Sequence, residues 1–150
     1  DEGRASSHEV LERFLDLGRA LRQAGHDVAW IRGPAETDFP GEASEFKVID
    51  RPTVRVLAAT LAQSRLCVGN DSGVSHLAAA VGAPTLAVFG PTSEVVWRPD
   101  GPRVEVIRPA SGELKDLGVS AVLAAIEKMS RLRPAARQPR PSPGTLSRFP

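Results

Sequence analysis

The sequence has 150 residues, of which 41% are hydrophobic and 25% are charged, with a formal net charge of +1. This length corresponds to one domain with enough apolar residues for a buried core, and the near-neutral charge gives no reason to expect nucleic-acid binding. The single cysteine, Cys67, excludes an internal disulfide and a cysteine cluster for metal. Because Cys67 stands in the apolar run LCVG, we predict that it is a small buried residue. No stretch reaches the roughly 18 apolar residues of a membrane-spanning helix.

Helix and strand patterns alternate along the chain. The predicted helices are 6–25, 53–64, 72–82 and 118–132. The predicted strands are 27–33, 46–50, 65–69, 84–90 and 103–109. Thr53 is the expected cap of the second helix, and Gly25 and Gly82 are expected helix stops. The alanines at 78–80 are expected to pack the third helix tightly on the sheet.

This alternation with short links favours an α/β domain with a mostly parallel sheet and flanking helices. Right-handed crossovers place the strand-to-helix turns at one edge of such a sheet, where the ligands of these folds bind. The turn GNDSG, residues 69–73, follows the third predicted strand and lies at that edge. The functional site is therefore expected there.

The last residues, 134–150, hold five prolines and three arginines among few apolar side chains. Such a segment buries too little surface to offset the entropy of ordering, so we predict that it is disordered and that the folded domain occupies residues 1–133. A solvated terminus is the favoured interpretation. Contact with an anionic membrane surface or with another protein is the alternative.

The polar residues of the turn suit an anionic ligand. The start of a helix offers free N–H groups and partial positive charge, which favour phosphate. Ser72 offers a hydroxyl as well as a helix cap, and Gly73 lets the backbone come close to a ligand. His76 lies one turn further along the helix, so its side chain can lean back toward the same ligand. Asp71 is better suited to hydroxyl donors such as those of a sugar, or to ordering the turn. A phosphate on one side and a polyol on the other describe a nucleotide-sugar. Taken alone, the tetrapeptide is more typical of an ordinary turn and helix cap.

Other sites have less support. Ser72 and His76 are four residues apart on one helix, unlike a hydrolase triad in which the base comes from a separate loop. The chain lacks the G-x-S-x-G elbow, the G-x-G-x-x-G fingerprint and the Walker A pattern. Its three histidines are widely separated from each other, which disfavours a His/Cys metal site.

The stretch from Val68 to Pro99, VGNDSGVSHLAAAVGAPTLAVFGPTSEVVWRP, resembles the signature of the family 9 glycosyltransferases, the ADP-heptose:lipopolysaccharide heptosyltransferases. The similarity includes the run GPT at 90–92 and Trp97. Upstream, VAWIRGPAE resembles the family's strand that ends near an acidic residue, here Glu36. The resemblance covers residues 7–132.

The resemblance implies the C-terminal, Rossmann-like half of a two-domain GT-B enzyme. Ser72 and Gly73 would contact the diphosphate of an ADP-sugar, Asp71 and His76 would lie by the diphosphate and sugar, and Glu36 would lie near the ribose. The loop 50–53 would pass the base of the nucleotide. The catalytic base would belong to an N-terminal domain, so no catalytic residue is expected in this chain.

The resemblance also implies the partners. They are a nucleotide-sugar donor such as ADP-heptose and a glycolipid acceptor bound through the N-terminal domain. No metal or other cofactor is expected, and the enzyme would be cytoplasmic, with peripheral contact at the inner membrane. The isolated chain is expected to have little or no transferase activity.

The chain departs from the family at its start. The usual phosphate loop followed by a lysine and Trp-Pro is absent, with Gly3, Ser6 and Ser7 as its remnants and Arg4 as the nearby cation. The strand that precedes this loop, a central one in the family, is also absent, so we expect a piece truncated at its N-terminal side with an unpaired sheet position. A non-catalytic or degenerate nucleotide-binding module is the alternative function. A sugar-nucleotide epimerase would require further acidic and basic residues that the sequence does not provide.

Overall fold

The computed structural model describes residues 7–34 and 44–131. Its strands are β1 (Ala29–Arg32), β2 (Lys47–Asp50), β3 (Cys67–Asn70), β4 (Thr85–Val88) and β5 (Val104–Ile107). Its α-helices are α1 (Ser7–Gln23), α2 (Val54–Gln63), α3 (Gly73–Ala80), α4 (Glu94–Trp97) and α5 (Val119–Arg131), and a 3-10 turn spans Leu114–Asp116. All the helices and strands predicted from sequence are present. The short helix α4 and the 3-10 turn were not predicted.

The described strands form two parallel sheets rather than one. β1 pairs with β2, and β4 lies between β3 and β5. The predicted α/β class with a parallel sheet and flanking helices is therefore confirmed, but the sheet is interrupted between β1 and β3.

The core is centred on β4, which is buried along its whole length. On one face, Leu86 and Val88 pack with Leu17 of α1 and with Val122 and Ile126 of α5. A continuous apolar strand is typical of a parallel sheet covered by helices on both faces. This packing fixes the carboxyl ends of the strands, from which the candidate site is built.

The opposite face is packed by small residues. Cys67 clusters with Leu61 of α2, with Ala78 of α3 and with Ala83. Ala79 is also buried, which confirms the predicted close packing of α3 at two of its three alanines. Ala80 is exposed, so its predicted packing is wrong, because it lies on the side of α3 that faces away from the sheet.

The predicted helix ends are confirmed by their hydrogen bonds. The Thr53 hydroxyl accepts from the Val56 N–H at 3.4 Å. Gly25 and Gly82 have φ values of +88° and +79°, the left-handed region in which glycine ends a helix without steric cost. The segment 132–150, including the predicted tail, lies outside the described residues. Among the described helices, none is long and apolar enough to cross a membrane.

Cys67 is buried as predicted, and burial raises the pKa of its thiol to about 11 from an ordinary value of 9.0. A raised pKa means that the folded state favours the protonated thiol. The resulting stability is present below pH 9 and is lost as the pH rises through about 11.

We therefore expect the wild-type chain to lose about 2 to 3 kcal/mol of unfolding free energy between pH 9 and pH 11 that Cys67→Ala does not lose. The comparison with Cys67→Ala cancels the titration of lysines over the same range. Urea unfolding of both proteins at a series of pH values measures the difference. Parallel pH profiles for the two proteins would contradict a buried, neutral thiol.

Candidate functional site at the carboxyl edge

Two turns leave the sheet side by side at the carboxyl ends of β3 and β4. Asn70 at the end of β3 is opposite Val88 at the end of β4 in the parallel register. The residues that follow, 71–73 and 89–92, therefore emerge next to each other, about one strand spacing apart. The sequence prediction that the GNDSG turn lies at the ligand-binding edge is consistent with this arrangement.

Ser75 fixes the turn to the strand. Its side chain is fully buried, and its Oγ donates to the Asn70 carbonyl at 2.6 Å. A Cβ on Gly69 would lie 2.7 Å from the Ser75 Oγ, so only glycine at position 69 leaves room for this hydrogen bond. Ser75 thus has a structural role, and it is not free to contact a ligand.

Ser75→Ala is expected to destabilise the fold by about 1 to 2 kcal/mol, because it removes a buried hydrogen bond and leaves the Asn70 carbonyl without this donor. Thermal or urea unfolding measures the loss. Ser120→Ala, at an exposed position in the first turn of α5, is the matched control and should change stability by less than about 0.5 kcal/mol. Equal effects of the two substitutions would contradict the role of the Ser75 bond.

Ser72 and Gly73 are open at the start of α3. Ser72 occupies the N-cap position, yet its hydroxyl makes no capping hydrogen bond, contrary to the expectation that it also serves as a cap. Backbone conformation does not account for this, because Thr53 is also extended and does make its capping bond. Gly73 is exposed, and an added Cβ would meet no atom within 4 Å. The first N–H groups of α3 therefore lie beside a free hydroxyl and open space.

Asp71 and His76 lie together on one side of this turn. The His76 Nε2 is 3.8 Å from the Asp71 Oδ1, a distance at which an ion pair forms only when the histidine is protonated. The His76 side chain is 43% exposed and the Asp71 side chain 20% exposed, so both are accessible to a ligand. The His76 side chain leans back toward the helix start, as predicted from its position. The structure thus brings Asp71, Ser72, Gly73 and His76 together, whereas Glu36 lies outside the described residues.

The loop after β2 contains a feature that sequence analysis missed. Arg51 has a φ of +42°, in the left-handed region that few residues other than glycine adopt. Its N–H donates to the Arg32 carbonyl at 2.9 Å, and its guanidinium Nε lies 3.8 Å from the Asp50 carboxylate. No sequence signal marks an arginine for this conformation. Such strain, of order 1 kcal/mol or more, is often found at functional loops.

Apolar side chains flank the carboxyl edge. In α4, which was not predicted, Val95 is 90% exposed, and Val96 and Trp97 are more than half exposed. Val54 and Val56 at the start of α2 are similarly exposed. Among the described residues, no group of three or more His, Cys, Asp or Glu side chains could hold a metal ion.

These features define an α/β domain with an open, polar turn at the carboxyl ends of parallel strands, the edge at which such folds bind ligands. The sequence model of glycosyltransferase family 9 (heptosyltransferase) matches residues 11–125. The chain therefore belongs to glycosyltransferase family 9, and the resemblance drawn from its signature is confirmed.

Individual relatives agree with this assignment. Lipopolysaccharide heptosyltransferase 1 of Pseudomonas aeruginosa is 48% identical over 89 residues, which cover 57% of this chain and 23% of the relative. An E. coli heptosyltransferase solved with ADP superposes with a TM-score of 0.69 at 27% identity, over 79% of this chain and 38% of its own. An E. coli heptosyltransferase structure with ADP-2-deoxy-2-fluoro heptose gives a TM-score of 0.66 at 27% identity, over 85% of this chain and 41% of its own. The chain spans about a quarter of the length of the curated relatives it matches.

Proposed function

We propose that this chain is the donor-binding part of a heptosyltransferase and binds ADP-heptose or a related nucleotide-sugar for transfer to a lipopolysaccharide-type acceptor. The observation that carries the proposal is the open start of α3, where the Ser72 hydroxyl makes no capping bond and Gly73 leaves space in front of the helix. Family membership and the ADP-containing relatives support the same ligand class.

The diphosphate is proposed to lie against the start of α3. The unpaired N–H groups there and the helix dipole favour negative charge, and the Ser72 hydroxyl can donate to a phosphate oxygen. Gly73 allows the phosphate to approach the backbone without a side chain between them. This arrangement stabilises the negative charge of the diphosphate with fixed dipoles. Because these dipoles are already oriented, they need no reorganisation when charge develops on the diphosphate.

Asp71 and His76 are proposed to face the distal phosphate and the sugar. The Asp71 carboxylate accepts hydrogen bonds from sugar hydroxyls, and it would repel a phosphate placed directly on it. His76, the other member of this pair, can donate a hydrogen bond to a phosphate oxygen. The two groups together would orient the anomeric carbon at the edge of the domain.

In the transfer step, an acceptor hydroxyl oxygen forms a bond to the anomeric carbon with inversion. The bond from that carbon to the diphosphate oxygen breaks, and its electron pair leaves with the ADP. The start of α3 stabilises the charge that develops on the departing diphosphate. The proton of the acceptor hydroxyl is proposed to pass to a base outside this chain, so the isolated chain is expected to bind donor without transferring it.

Calorimetric titration of ADP, ADP-heptose and a UDP-sugar tests the proposal. We expect ADP-heptose and ADP to bind more tightly than the UDP-sugar. Asp71→Ala, Ser72→Ala and His76→Ala are each expected to weaken ADP-heptose binding by about tenfold or more, since each removes a hydrogen bond to a charged or hydroxyl group.

Ser120→Ala is the matched control, because it removes the same hydroxyl from the first turn of another helix at this edge. It should leave ADP binding unchanged. Equal ADP-heptose affinity in the wild type and the three site variants would remove the turn from the binding site.

A further inference from the structure

The two turns of the candidate site contain a carboxylate and no permanent positive charge. Residues 69–76 and 89–92 include no lysine and no arginine. Their ionisable side chains are those of Asp71, which is negative at neutral pH, and His76, which is positive only when protonated. Any positive side-chain charge in these two turns therefore has to come from His76.

The proposed ligand makes this balance of charges unfavourable while His76 is neutral. The diphosphate of a nucleotide-sugar brings two negative charges, and the Asp71 carboxylate adds a third in the same turn. Like charges that share a site disfavour the ionised forms of one another. The start of α3 offers only about half a positive charge, which does not offset three negative ones.

His76 is positioned to supply the positive charge. Its Nε2 lies 3.8 Å from the Asp71 Oδ1, and its side chain is partly exposed. Within the described part of the chain, Asp71 is the only acidic residue within 4 Å of an imidazole nitrogen, and neither ring nitrogen makes a hydrogen bond. Both nitrogens are therefore open to new partners.

The elements packed against α3 contribute few other charges. These elements are α2, β3 and β4. The two strands contain no residue that is charged at neutral pH, and α2 contains one, Arg55 in its first turn. Arg51, in the loop before α2, lies within ion-pair distance of Asp50. The charge state of His76 is therefore governed chiefly by Asp71 and by the ligand itself.

We propose that a nucleotide-sugar binds at this turn with uptake of one proton by His76, which places an imidazolium between the Asp71 carboxylate and the diphosphate. This inference rests on the proposed function and identifies the cation of the site. The proton comes from solvent and adds to the lone pair of the unprotonated ring nitrogen, and no covalent bond of the ligand changes.

The hydrogen-bonding capacity of histidine explains the need for the proton. A neutral imidazole has a single N–H, so it cannot donate to a carboxylate and to a phosphate oxygen at the same time, whereas the imidazolium can. Asp71 is then a positioning residue, because it orients one N–H of His76 and leaves the other for the diphosphate. The second carboxylate oxygen of Asp71 stays available for a sugar hydroxyl.

Binding that takes up a proton becomes stronger as the pH falls. By linkage, the affinity rises over the range in which His76 is neutral in the free protein and protonated in the complex. Because histidine ordinarily changes charge between pH 5 and 8, we expect ADP-heptose to bind roughly tenfold more tightly at pH 6 than at pH 8. Neutralisation by the fixed dipoles of α3 alone would give no such change.

Calorimetric titration of ADP-heptose into the 150-residue chain at pH 6, 7 and 8 tests the coupling. The diphosphate of ADP-heptose is esterified at both ends, so this ligand lacks the terminal phosphate of ADP, which itself titrates near pH 6. At pH 7 the titration is repeated in buffers of different ionisation enthalpy, with EDTA present to exclude divalent cations. The dependence of the measured enthalpy on the buffer should show uptake of more than about half a proton.

Two substitutions at position 76 separate charge from shape. His76→Gln keeps a hydrogen-bond donor but does not titrate, so it should bind more weakly than the wild type at pH 6 and take up no proton. His76→Lys is positively charged at all three pH values, so it should bind more tightly than His76→Gln, with an affinity that does not change with pH. His26→Gln is the matched control, because His26 is exposed and precedes the amino end of β1, and it should keep the wild-type pH profile.

The possible failures are distinguishable. An affinity that is the same at all three pH values, with no proton uptake, would overturn the inference and leave the proposed function intact. Equal proton uptake in His76→Gln and in the wild type would assign the proton to another group and would also overturn it. Absence of ADP-heptose binding at every pH, in a chain that stays folded, would overturn the proposed function together with the inference.

Discussion

Gly73→Leu is expected to weaken ADP binding by about 2 to 3 kcal/mol, or roughly 30- to 150-fold in Kd, while the chain stays folded. An added Cβ at Gly73 would meet no protein atom within 4 Å, so the leucine is accommodated in the free protein. The same side chain would occupy the space proposed for the diphosphate and separate it from the N–H groups of α3. Because leucine also favours the helix more than glycine, the thermal midpoint should be unchanged or higher.

Ala80→Leu is the control for this substitution. It adds a similar side chain at the exposed, carboxyl end of the same helix, about 10 Å from Gly73 along its axis. Calorimetric titration of ADP should give wild-type affinity for Ala80→Leu. Unchanged ADP affinity in Gly73→Leu would show that the diphosphate does not approach the start of α3.

Phe89→Ala is expected to cost about 3 to 5 kcal/mol of unfolding free energy, the largest stability loss anticipated for a single substitution here. Phe89 is the largest fully buried side chain, and it stands between β4 and the turn at 90–92. Its N–H donates to the Ile107 carbonyl at 2.9 Å, which extends the β4–β5 pairing beyond the strand. Truncation leaves a cavity directly below the candidate site. Urea unfolding measures the loss.

Trp97→Ala removes an aromatic side chain of greater size from an exposed position only eight residues away. Because Trp97 is 55% exposed, its truncation should cost much less, about 1 kcal/mol or below. Similar losses for Phe89→Ala and Trp97→Ala would contradict the placement of the core. A loss of ADP affinity in Trp97→Ala without a loss of stability would indicate that α4 contacts the ligand.

Much of the architecture could be predicted because local signals agree with the fold. Apolar runs of a few residues gave the strands, and helical spacing gave α1, α2, α3 and α5. Thr53, Gly25 and Gly82 marked helix ends through chemistry that acts within a few residues. Cys67 was predicted to be buried from the apolar run around it.

The features that could not be predicted depend on tertiary context. Helix α4 has only four residues, with too few turns for an apolar period to show. The use of the Ser75 hydroxyl depends on how α3 folds back on β3, and the left-handed Arg51 depends on the bond to Arg32 across the sheet. An unpaired sheet position was expected only from the family resemblance, because no local pattern reports pairing between distant segments.

At the candidate site, the clustering of the proposed residues could be predicted from sequence, whereas the hydrogen bonds of the serines could not. Asp71, Ser72, Gly73 and His76 are adjacent in sequence, so their clustering follows from the turn itself. The expected capping bond of Ser72 is absent, and Ser75 proved to be structural. A free hydroxyl at the start of α3 strengthens the case for a ligand there, because a capping serine would have been occupied.

The most direct test is to map ADP binding on the amide resonances of the 150-residue chain by NMR. We predict that ADP shifts the resonances of residues 71–76 most strongly, with smaller shifts at 89–92 and in the loop 50–53. The first turn of α5, which also begins at the carboxyl edge, should shift little. Shifts centred on α5 with residues 71–76 unaffected would contradict the proposal that the diphosphate binds at the start of α3.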